Sequence, residues 1–425
     1  MSNFVKIRQS ILAGKEAVAN AAVNPGEVLV AENPLASCLL PNAYNSHCQT
    51  CLKRLKLSYG CSDCSSISFC SYKCRNIGLN TYHKYECKIF CMIIGSGMSI
   101  LSHLALRIVT QLGLKNCLSL YYYNFEGIMC TKLRNYLKLY DLEMHSSERS
   151  TKDYFDRVLM AAFLIQCLKQ VDFFCDSKHH FDLHENRQHN EIVVGTLLLR
   201  HLLLLQFNAY EIYDTISENI PNVYDTYNLR YIGVGIYPTA ARFNHECYSA
   251  TFRYFIGKMM ILRSSRLLEI NNVIAENYGP IFTKKLRSDR QRHLYGRYWF
   301  NCKCQACEND WPLLNNIEYS AVKIRCNHKS CTEYIRVHLN KNYKKCYACL
   351  KCLKIQNFRK SHENIITKCV LWYAYGTTAI SRQCTPEAAQ ILFKALKVFH
   401  HVASVPHRFT HLAELGQQYC LISNI

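Results

Sequence analysis

The spacing of apolar and polar positions changes several times along the chain, and each change marks an element. Near the N-terminus, apolar residues alternate around Asn24-Pro25-Gly26 and on through Val28, Leu29 and Val30, which reads as a β-hairpin about a Pro-Gly turn. Residues 71–87 have helical spacing instead, with Cys70 and Cys74, and His83 and Cys87, each four apart on one side of a helix. The long apolar stretch 89–109 is broken by Gly95, Ser96, Gly97, Ser99, Ser102, His103 and Arg107, and reads as a buried helix pair rather than a bilayer span. Residues 88–230 read mostly as helices, and 197–212 is apolar nearly all round, as a buried helix is. Its Leu-rich part, 197–207, carries Arg200 and His201 and is too short to span a membrane. Residues 178–190 are rich in His, Asp, Asn and Gln and read as an exposed loop, with His179, His180, His184 and His189 in solvent. In the tail, Thr385-Pro386-Glu387 starts a helix whose apolar face is Ala388, Leu392, Ala395, Leu396 and Phe399. After Pro406, a second helix presents Phe409, Leu412, Leu415 and Tyr419. One such hairpin cannot bury both faces, so it docks on the body or begins a repeat array.

Composition adds metal to this picture. The chain has 425 residues, 49% hydrophobic and 19% charged, enough for two or three folded domains. It carries 25 cysteines behind a polar, charged N-terminus, MSNFVKIRQS, that has no apolar leader core. Cysteines clustered at short spacings mean metal in a reducing compartment, not a disulfide scaffold, so nucleus or cytoplasm is expected and no membrane association. Lys+Arg number 51 against 31 Asp+Glu, a net +20 that favours acidic partners without choosing among them. No basic motif interleaved with aromatics supports direct nucleic-acid binding.

Cys48, Cys51, Cys61, Cys64, Cys70, Cys74, His83 and Cys87 form the run C-x2-C-x9-C-x2-C-x5-C-x3-C-x8-H-x3-C. A C-x2-C pair presents two thiolates from one tight turn, half of a tetrahedral zinc site. Eight ligands close two sites with no position left for water, so this module is structural. Farther on, Cys302, Cys304 and Cys307 give three ligands, and the fourth must come from a distance; Cys247 supplies it. Cys326, Cys331, Cys346 and Cys349 read C-x4-C-x14-C-x2-C, compatible with a small zinc ribbon in which His328 or Cys352 could replace one ligand.

The ordered finger pattern, with Ser71-Tyr72-Lys73-Cys74 and His83-Lys84-Tyr85-Glu86-Cys87, resembles the MYND zinc finger. That resemblance implies cross-braced sites, Cys48, Cys51, Cys70 and Cys74 on one zinc and Cys61, Cys64, His83 and Cys87 on the other, with His47 a bystander. It also implies recognition of proline-rich peptide segments. Around the finger stand Gly14-Lys15-Glu16, Gly233-Val234-Gly235-Ile236-Tyr237-Pro238, Arg242-Phe243-Asn244-His245-Glu246-Cys247, Glu276-Asn277-Tyr278-Gly279-Pro280 and Tyr298-Trp299-Phe300-Asn301-Cys302. As an ordered set over residues 10–310 these resemble the SET-and-MYND methyltransferase family, in particular its branch with tetratricopeptide-like repeats.

The resemblance implies an α+β fold: a SET-type β fold split by a MYND finger, with a helical insert, a post-SET zinc site and a C-terminal helical, TPR-like region. The divisions expected are 1–47 for the first part of the SET domain, 48–87 for the finger, 88–200 for the insert and 201–280 for the SET core. They continue with 281–311 for the post-SET segment, 312–360 for the zinc ribbon and 361–425 for the helical region. Tyr278 would be the catalytic tyrosine beside the transferring methyl, and Lys15, Asn208, Asn244, His245, Tyr278 and Phe300 would bind S-adenosylmethionine. Methyl transfer to lysine is an in-line displacement that needs alignment and an unprotonated amine, hence aromatic walls and carbonyls rather than a carboxylate dyad. A free lysine titrates near about 10.4, so a dry channel is useful.

Four positions depart from the family pattern. Glu16 replaces the second glycine of the N-terminal turn, Glu246 the serine of N-H-S-C, Tyr248-Ser249-Ala250 the D-P-N, and Asn271-Asn272 the Gly-Glu before the last core strand. Two readings follow. The first is a monomeric S-adenosylmethionine-dependent protein-lysine N-methyltransferase acting on a histone or non-histone protein, with two zincs in the finger, one post-SET and one more at 326–349. The second is a SET/MYND zinc adaptor of little or no catalytic activity that recruits protein partners, in the manner of a transcriptional corepressor.

Overall fold

The computed structural model of the chain describes residues 2–10, 14–122, 131–175, 183–216, 228–318 and 385–423, with short stretches at 321–326, 328, 331, 333–338, 346–348, 351–352 and 355–357. The first part of the chain is all strand: β1 (Val5–Ser10), β2 (Gly14–Ala19), β3 (Val28–Glu32) and β4 (Ala36–Leu39). The finger follows with β5 (Tyr59–Gly60), β6 (Ser68–Phe69), α1 (Tyr72–Asn80) and α2 (His83–Gly95). Helices α3 (Ile100–Leu112), α4 (Leu114–Tyr122), α5 (Thr131–Leu137), α6 (Thr151–Lys169) and α7 (Leu183–Asn208) make the insert. Strands return as β7 (Ala209–Ile216), β8 (Asn228–Ile236), β9 (Thr251–Ile256) and β10 (Met259–Ser264). Next come α8 (Arg287–Tyr298), α9 (Gln305–Glu308), the two-stranded pairs β11 (Ala321–Arg325) with β12 (Tyr334–His338) and β13 (Cys346–Ala348) with β14 (Ile355–Asn357), then α10 (Thr385–Val402) and α11 (Arg408–Ser423).

Three small sheets frame the strand half: β1-β2, β3-β10-β9 and β4-β8-β7. The hairpin is β1-β2, in register from Val5↔Ala19 to Ser10↔Gly14, and the Pro-Gly turn does not join one. Gly26, at φ +86, instead donates its N–H to Ser264 O at 2.7 Å, and β3 pairs with β10 from the far end of the domain. Alternation fixes which face a strand buries, not which strand it meets. Strand β8 lies so close to β4 that a Cβ on Gly233 would stand 2.4 Å from Cys38 O, which only glycine permits.

A crossing in the middle of the strand half positions the site. The segment 273–276 is held on one side by β2, through Ile274 N to Ala17 O at 2.8 Å. On the other side it meets the loop 244–250, through Glu246 N to Glu276 O at 2.9 Å, Glu276 N to Asn244 O at 2.8 Å and Ala250 N to Ala275 O at 3.1 Å. Val18, Ile274, Ala275 and Ala250 are buried at this crossing.

Several helical expectations shift. Residues 71–87 form two helices, not one, because the chain turns at Thr81-Tyr82, and Cys70 stands ahead of the first, whose cap is Ser71. The apolar stretch 89–109 is a helix pair, α2 and α3. Helix α7 begins at Leu183, so His184 and His189 lie in a helix rather than a loop, while His179 and His180 fall outside the described residues. It ends at Asn208 and continues as strand β7, so only the first part of 197–212 is helical. The helical residues Arg187–Asn208 are long and apolar enough to cross a membrane by length and composition, yet half of the most apolar window is buried, where α7 packs on α3, α4 and α6.

Helix α3 buries the Arg107 guanidinium among its apolar residues, and that charge joins three regions. Its guanidinium grips Glu86 of α2 with two bonds, Nε to Oε1 and Nη2 to Oε2, each 2.7 Å, and donates from Nη1 to Ser37 O of β4 at 2.9 Å. Thr110 and His103 complete the carboxylate's partners at 2.8 and 3.0 Å. Tyr82 lies 3.7 Å below the guanidinium, and its hydroxyl donates to Gln49 O in the finger. Burial raises the Glu86 pKa, but Arg107 and His103 overcome it and hold the carboxyl well below the usual range.

Candidate metal centres and active site

The finger brings its eight ligand atoms into two groups, Cys48, Cys51, Cys70 and Cys74, and Cys61, Cys64, His83 and Cys87, each with all atoms within 4.8 Å of one another. Zinc bound tetrahedrally with Zn–S near 2.3 Å spaces thiolates about 3.8 Å apart. The distances match: Cys51 Sγ to Cys70 Sγ is 3.5 Å, Cys70 to Cys74 3.6 Å and Cys61 to Cys87 3.9 Å. His83 Nε2 stands 3.5 Å from Cys64 Sγ, and burial pushes its pKa down to about 4, which keeps the ring in its ligating, neutral form. The groups interleave along the chain, so the module is cross-braced. Local chemistry sets each position. The Ser71 hydroxyl accepts from Cys74 N at 3.2 Å and fixes the helix start, and a Cβ on Gly78 would meet the Phe69 ring at 2.7 Å. His47 is engaged elsewhere, at 2.9 Å from Ser46 Oγ and 3.2 Å from Asp214.

A third group joins Cys247, on the loop of the crossing, to Cys302, Cys304 and Cys307, with Cys247 Sγ 3.5 Å from Cys307 Sγ. Gln291 of α8 holds Cys302 by both backbone groups, at 2.7 and 2.9 Å. Arg290, wholly buried, donates to Lys285 O, Ala306 O and the Cys307 sulfur. A buried guanidinium beside four thiolates is the counter-charge such a centre needs. The fourth group is Cys326, Cys331 and Cys352, with Cys326 Sγ 3.7 Å from Cys352 Sγ. Cys352 therefore takes a place that the spacing gave first to the pair Cys346 and Cys349. The side chain of Cys346 and all of Cys349 fall outside the described residues.

Tyr278 stands where the crossing meets the third group. Its hydroxyl donates to Phe243 O at 2.8 Å, and its own N–H donates to His245 Nδ1 at 3.0 Å. That bond puts the imidazole proton on Nε2, which faces Cys247 Sγ at 3.4 Å. Burial, reinforced by the Glu276 carboxylate, raises the Tyr278 pKa, so it remains a neutral hydroxyl; burial pushes His245 down to about 4. Phe300 lies with its ring centre 6.0 Å from His245 and 6.4 Å from Tyr278, and Tyr298 is 4.9 Å from Tyr278. Asn244 Nδ2 donates to Lys15 O at 3.3 Å, and the Lys15 ammonium pairs with Asp141 at 3.2 Å. Asn208 and Tyr278 line a cleft of about 120 Å³ with Tyr210, Arg253, His293 and Arg297. The Asn208 amide is spent on Glu143 O and Leu204 O at 2.8 and 2.7 Å, so it braces the wall. The structure thus gathers Lys15, Asn244, His245, Tyr278 and Phe300 about one corner, and sets Asn208 across the cleft from it.

The departures from the family pattern have local explanations. The Glu16 carboxylate accepts from Arg8 Nε across the β1-β2 hairpin at 2.8 Å, which answers its charge. Asn271 sits at φ +68, the left-handed region where asparagine is the best substitute for glycine, and donates to Ala19 O at 2.8 Å. Glu246, its pKa raised by burial, pairs with Arg266 at 3.2 Å. Tyr248 turns away to donate to Glu414 of α11 at 2.6 Å. Residues that sequence reasoning missed are Tyr210, Tyr298, Arg253, Glu276 and His293. Tyr298 was findable two positions before Phe300, whereas nothing in the sequence marks Arg253 and Glu276 as partners.

A finger cross-braced by one group of four cysteines and one of three cysteines and a histidine is set into a crossed strand framework, with a further group of four cysteines beside it and helices around it, a mixed α+β fold of the kind that the SET-and-MYND resemblance implies. The sequence is similar to SET and MYND domain proteins over about 70% of its length. Mouse protein-lysine N-methyltransferase SMYD4 is 25% identical over 365 residues, 70% of this chain and 45% of that protein. Arabidopsis thaliana histone-lysine N-methyltransferase ASHR1 is 24% identical over 335 residues, 78% of this chain and 60% of that one. A SET and MYND domain-containing protein of Dictyostelium discoideum is 21% identical over 350 residues, 78% and 88% of the two chains. The chain thus spans less than half the length of its SMYD4 relative. No family model matches it. The SET domain of LSMT bound to lysine and AdoHcy overlaps 99% of this chain and 86% of that one at 10% identity, with a TM-score of 0.28.

Proposed function

We propose that the chain is an S-adenosylmethionine-dependent protein-lysine N-methyltransferase whose loops are braced by zinc. The observation that carries the reading is the chain of contacts from Cys247 through His245 to the Tyr278 backbone, which ties a metal-ligating thiolate to the catalytic tyrosine. Lys15, Asn244, His245 and Phe300 would hold the cofactor, with Asn208 behind them, and when bound it supplies an electrophilic methyl group. Phe300 offers an aromatic face, and Arg8 removes the repulsion that Glu16 would exert on a carboxylate ligand. Tyr278 and Tyr298 wall the place where an acceptor amine would lie, exclude water from it and disfavour its protonated form. The acceptor is a lysine of a protein partner.

Four zincs complete the reading: two in the finger, one on Cys247, Cys302, Cys304 and Cys307, and one on the group at Cys326, Cys331 and Cys352. The finger would take proline-rich peptide segments, the protein would act as a monomer, and thiolate centres of this kind suit the nucleus or cytoplasm. The second reading, a non-catalytic zinc adaptor, draws support from the carboxylate of Glu246 beside the cofactor-holding loop. Calorimetric titration with S-adenosylmethionine separates the two. Saturable binding by zinc-loaded protein is expected, and silence at millimolar cofactor would leave the adaptor.

A further inference from the structure

Two clefts meet behind Tyr278. The first is the cleft of about 120 Å³ lined by Tyr278 and Asn208. The second is a groove of about 400 Å³ under helix α11, lined by Phe252, Tyr254, Phe282, Leu415 and Ile422 among others. Three residues line both: Tyr213, Arg253 and Gly279. These three residues therefore stand where the two clefts adjoin. One of the three carries a formal charge.

That charge is fixed in place. Arg253 Nη1 is bound to the Glu276 carboxylate and to Asn277 O at 3.2 Å, and its guanidinium lies 5.3 Å from the Tyr210 ring centre. Glu276 is almost wholly buried, and its other oxygen accepts from the Tyr210 hydroxyl at 2.8 Å. The carboxylate is therefore committed on both oxygens. Both bonds that Arg253 makes to described residues leave from Nη1, and the side chain retains 22% exposure, towards the clefts. Arg253 and Glu276 both line the groove, and the guanidinium is the more exposed of the two, at 22% against 2%. Gly279, which also lines both clefts, sits at φ +138, and a Cβ there would stand 3.1 Å from His293 Nε2.

Resting on the methyltransferase reading, we infer that Arg253, clamped by Glu276, is a specificity-determining residue of the acceptor passage: it admits an amine as the neutral free base and excludes the ammonium. The physical basis is like-charge repulsion within a partly desolvated aromatic channel, which favours the uncharged form. The amine leaves its proton in the open groove before it passes. Removing the guanidinium alone inverts the selection, because Glu276 is left as an unpaired carboxylate that attracts a cation.

The test needs no turnover. Two adenosine analogues are used in which a tertiary amine replaces the sulfonium and carries, in place of the methyl, either a butyl or a 4-aminobutyl arm. Calorimetry at about pH 7, where a free alkylamine is charged, gives both affinities. In the wild-type protein the butyl analogue should bind roughly tenfold more tightly than the aminobutyl one. Arg253→Gln should reverse the order, and Glu276→Gln should keep or widen it. Since either single change can destabilise the fold, Arg253→Met/Glu276→Leu, which removes both charges, serves as a second variant and should bring the ratio close to one. Zinc content and S-adenosylmethionine affinity are read on every protein. Equal binding of the two arms in the wild type, or an unchanged ratio in the variants, with S-adenosylmethionine still bound, overturns the role of Arg253 alone. No binding of S-adenosylmethionine or of either analogue overturns the methyltransferase reading, and the inference falls with it.

Discussion

The finger and the loops around Tyr278 are both held by thiolates, yet they tolerate change differently. In the finger every ligand of the expected pattern is present, because a tetrahedral centre needs a donor atom at each corner and no other residue supplies it. Around Tyr278 the sequence has drifted at positions 16, 246, 248 and 271, while the crossing remains intact. What those positions must supply is a backbone path or a neutralised charge, and other side chains can do either. Asn271 adopts the left-handed conformation in place of glycine, and Arg8 answers Glu16. Metal sites constrain atoms, whereas loop crossings constrain dihedral angles.

The largest effect that would break this contrast is on the metal. Chelation should unfold the finger outright, since structural zinc contributes on the order of 10 kcal/mol to such modules; circular dichroism with elemental analysis would show it. If full zinc loss left the spectrum unchanged, the finger would be no more constrained than the loops. Arg107→Met should cost about 3 to 5 kcal/mol in urea unfolding, because Glu86 is left charged and buried, and Arg107→Met/Glu86→Leu should recover most of it. A smaller effect lies in the tail. Burial holds His407 down to about 4 from an ordinary 6.5, so the folded protein keeps it neutral where the unfolded chain takes up a proton. Its stability contribution is present above 6.5 and is lost as the pH falls from 6.5 towards 4, about 3 kcal/mol in all. A His407→Asn variant whose unfolding is as steep in pH as the wild type would contradict this. Smallest is the loop itself: Asn271→Gly should be nearly neutral and Asn271→Val should cost about 1 to 2 kcal/mol, read from melting curves.

The eight residues that sequence spacing singled out in the finger, and Cys302, Cys304 and Cys307 with Cys247, are brought together in the structure, because ligand spacing is largely a local property of a turn or a helix. The mixed strand and helix content and the helical tail were legible for the same reason, since period and caps are written in neighbouring residues. Strand partners were not. β3 meets β10 and not β2, although Val28, Leu29 and Val30 show only that one face is buried. The end of α7 at Asn208 was hidden because the apolar run continues unbroken into β7. Cys352 was one of two alternatives on spacing alone, beside His328, as cysteines in a short span satisfy the same arithmetic in several ways. Arg253 and Glu276 were invisible because a charge carries no mark of burial in a sequence.

The grip of Arg107 on Glu86 and Ser37 bears on how this architecture can be rebuilt. A zinc finger that folds around its own metal would ordinarily be portable, open to removal or exchange between proteins by recombination at its borders. Here the anion that balances a core cation belongs to the finger, and the cation belongs to the helices that follow. Cutting out the module would strand that cation in a dry interior, so graft and host must change together or neither survives.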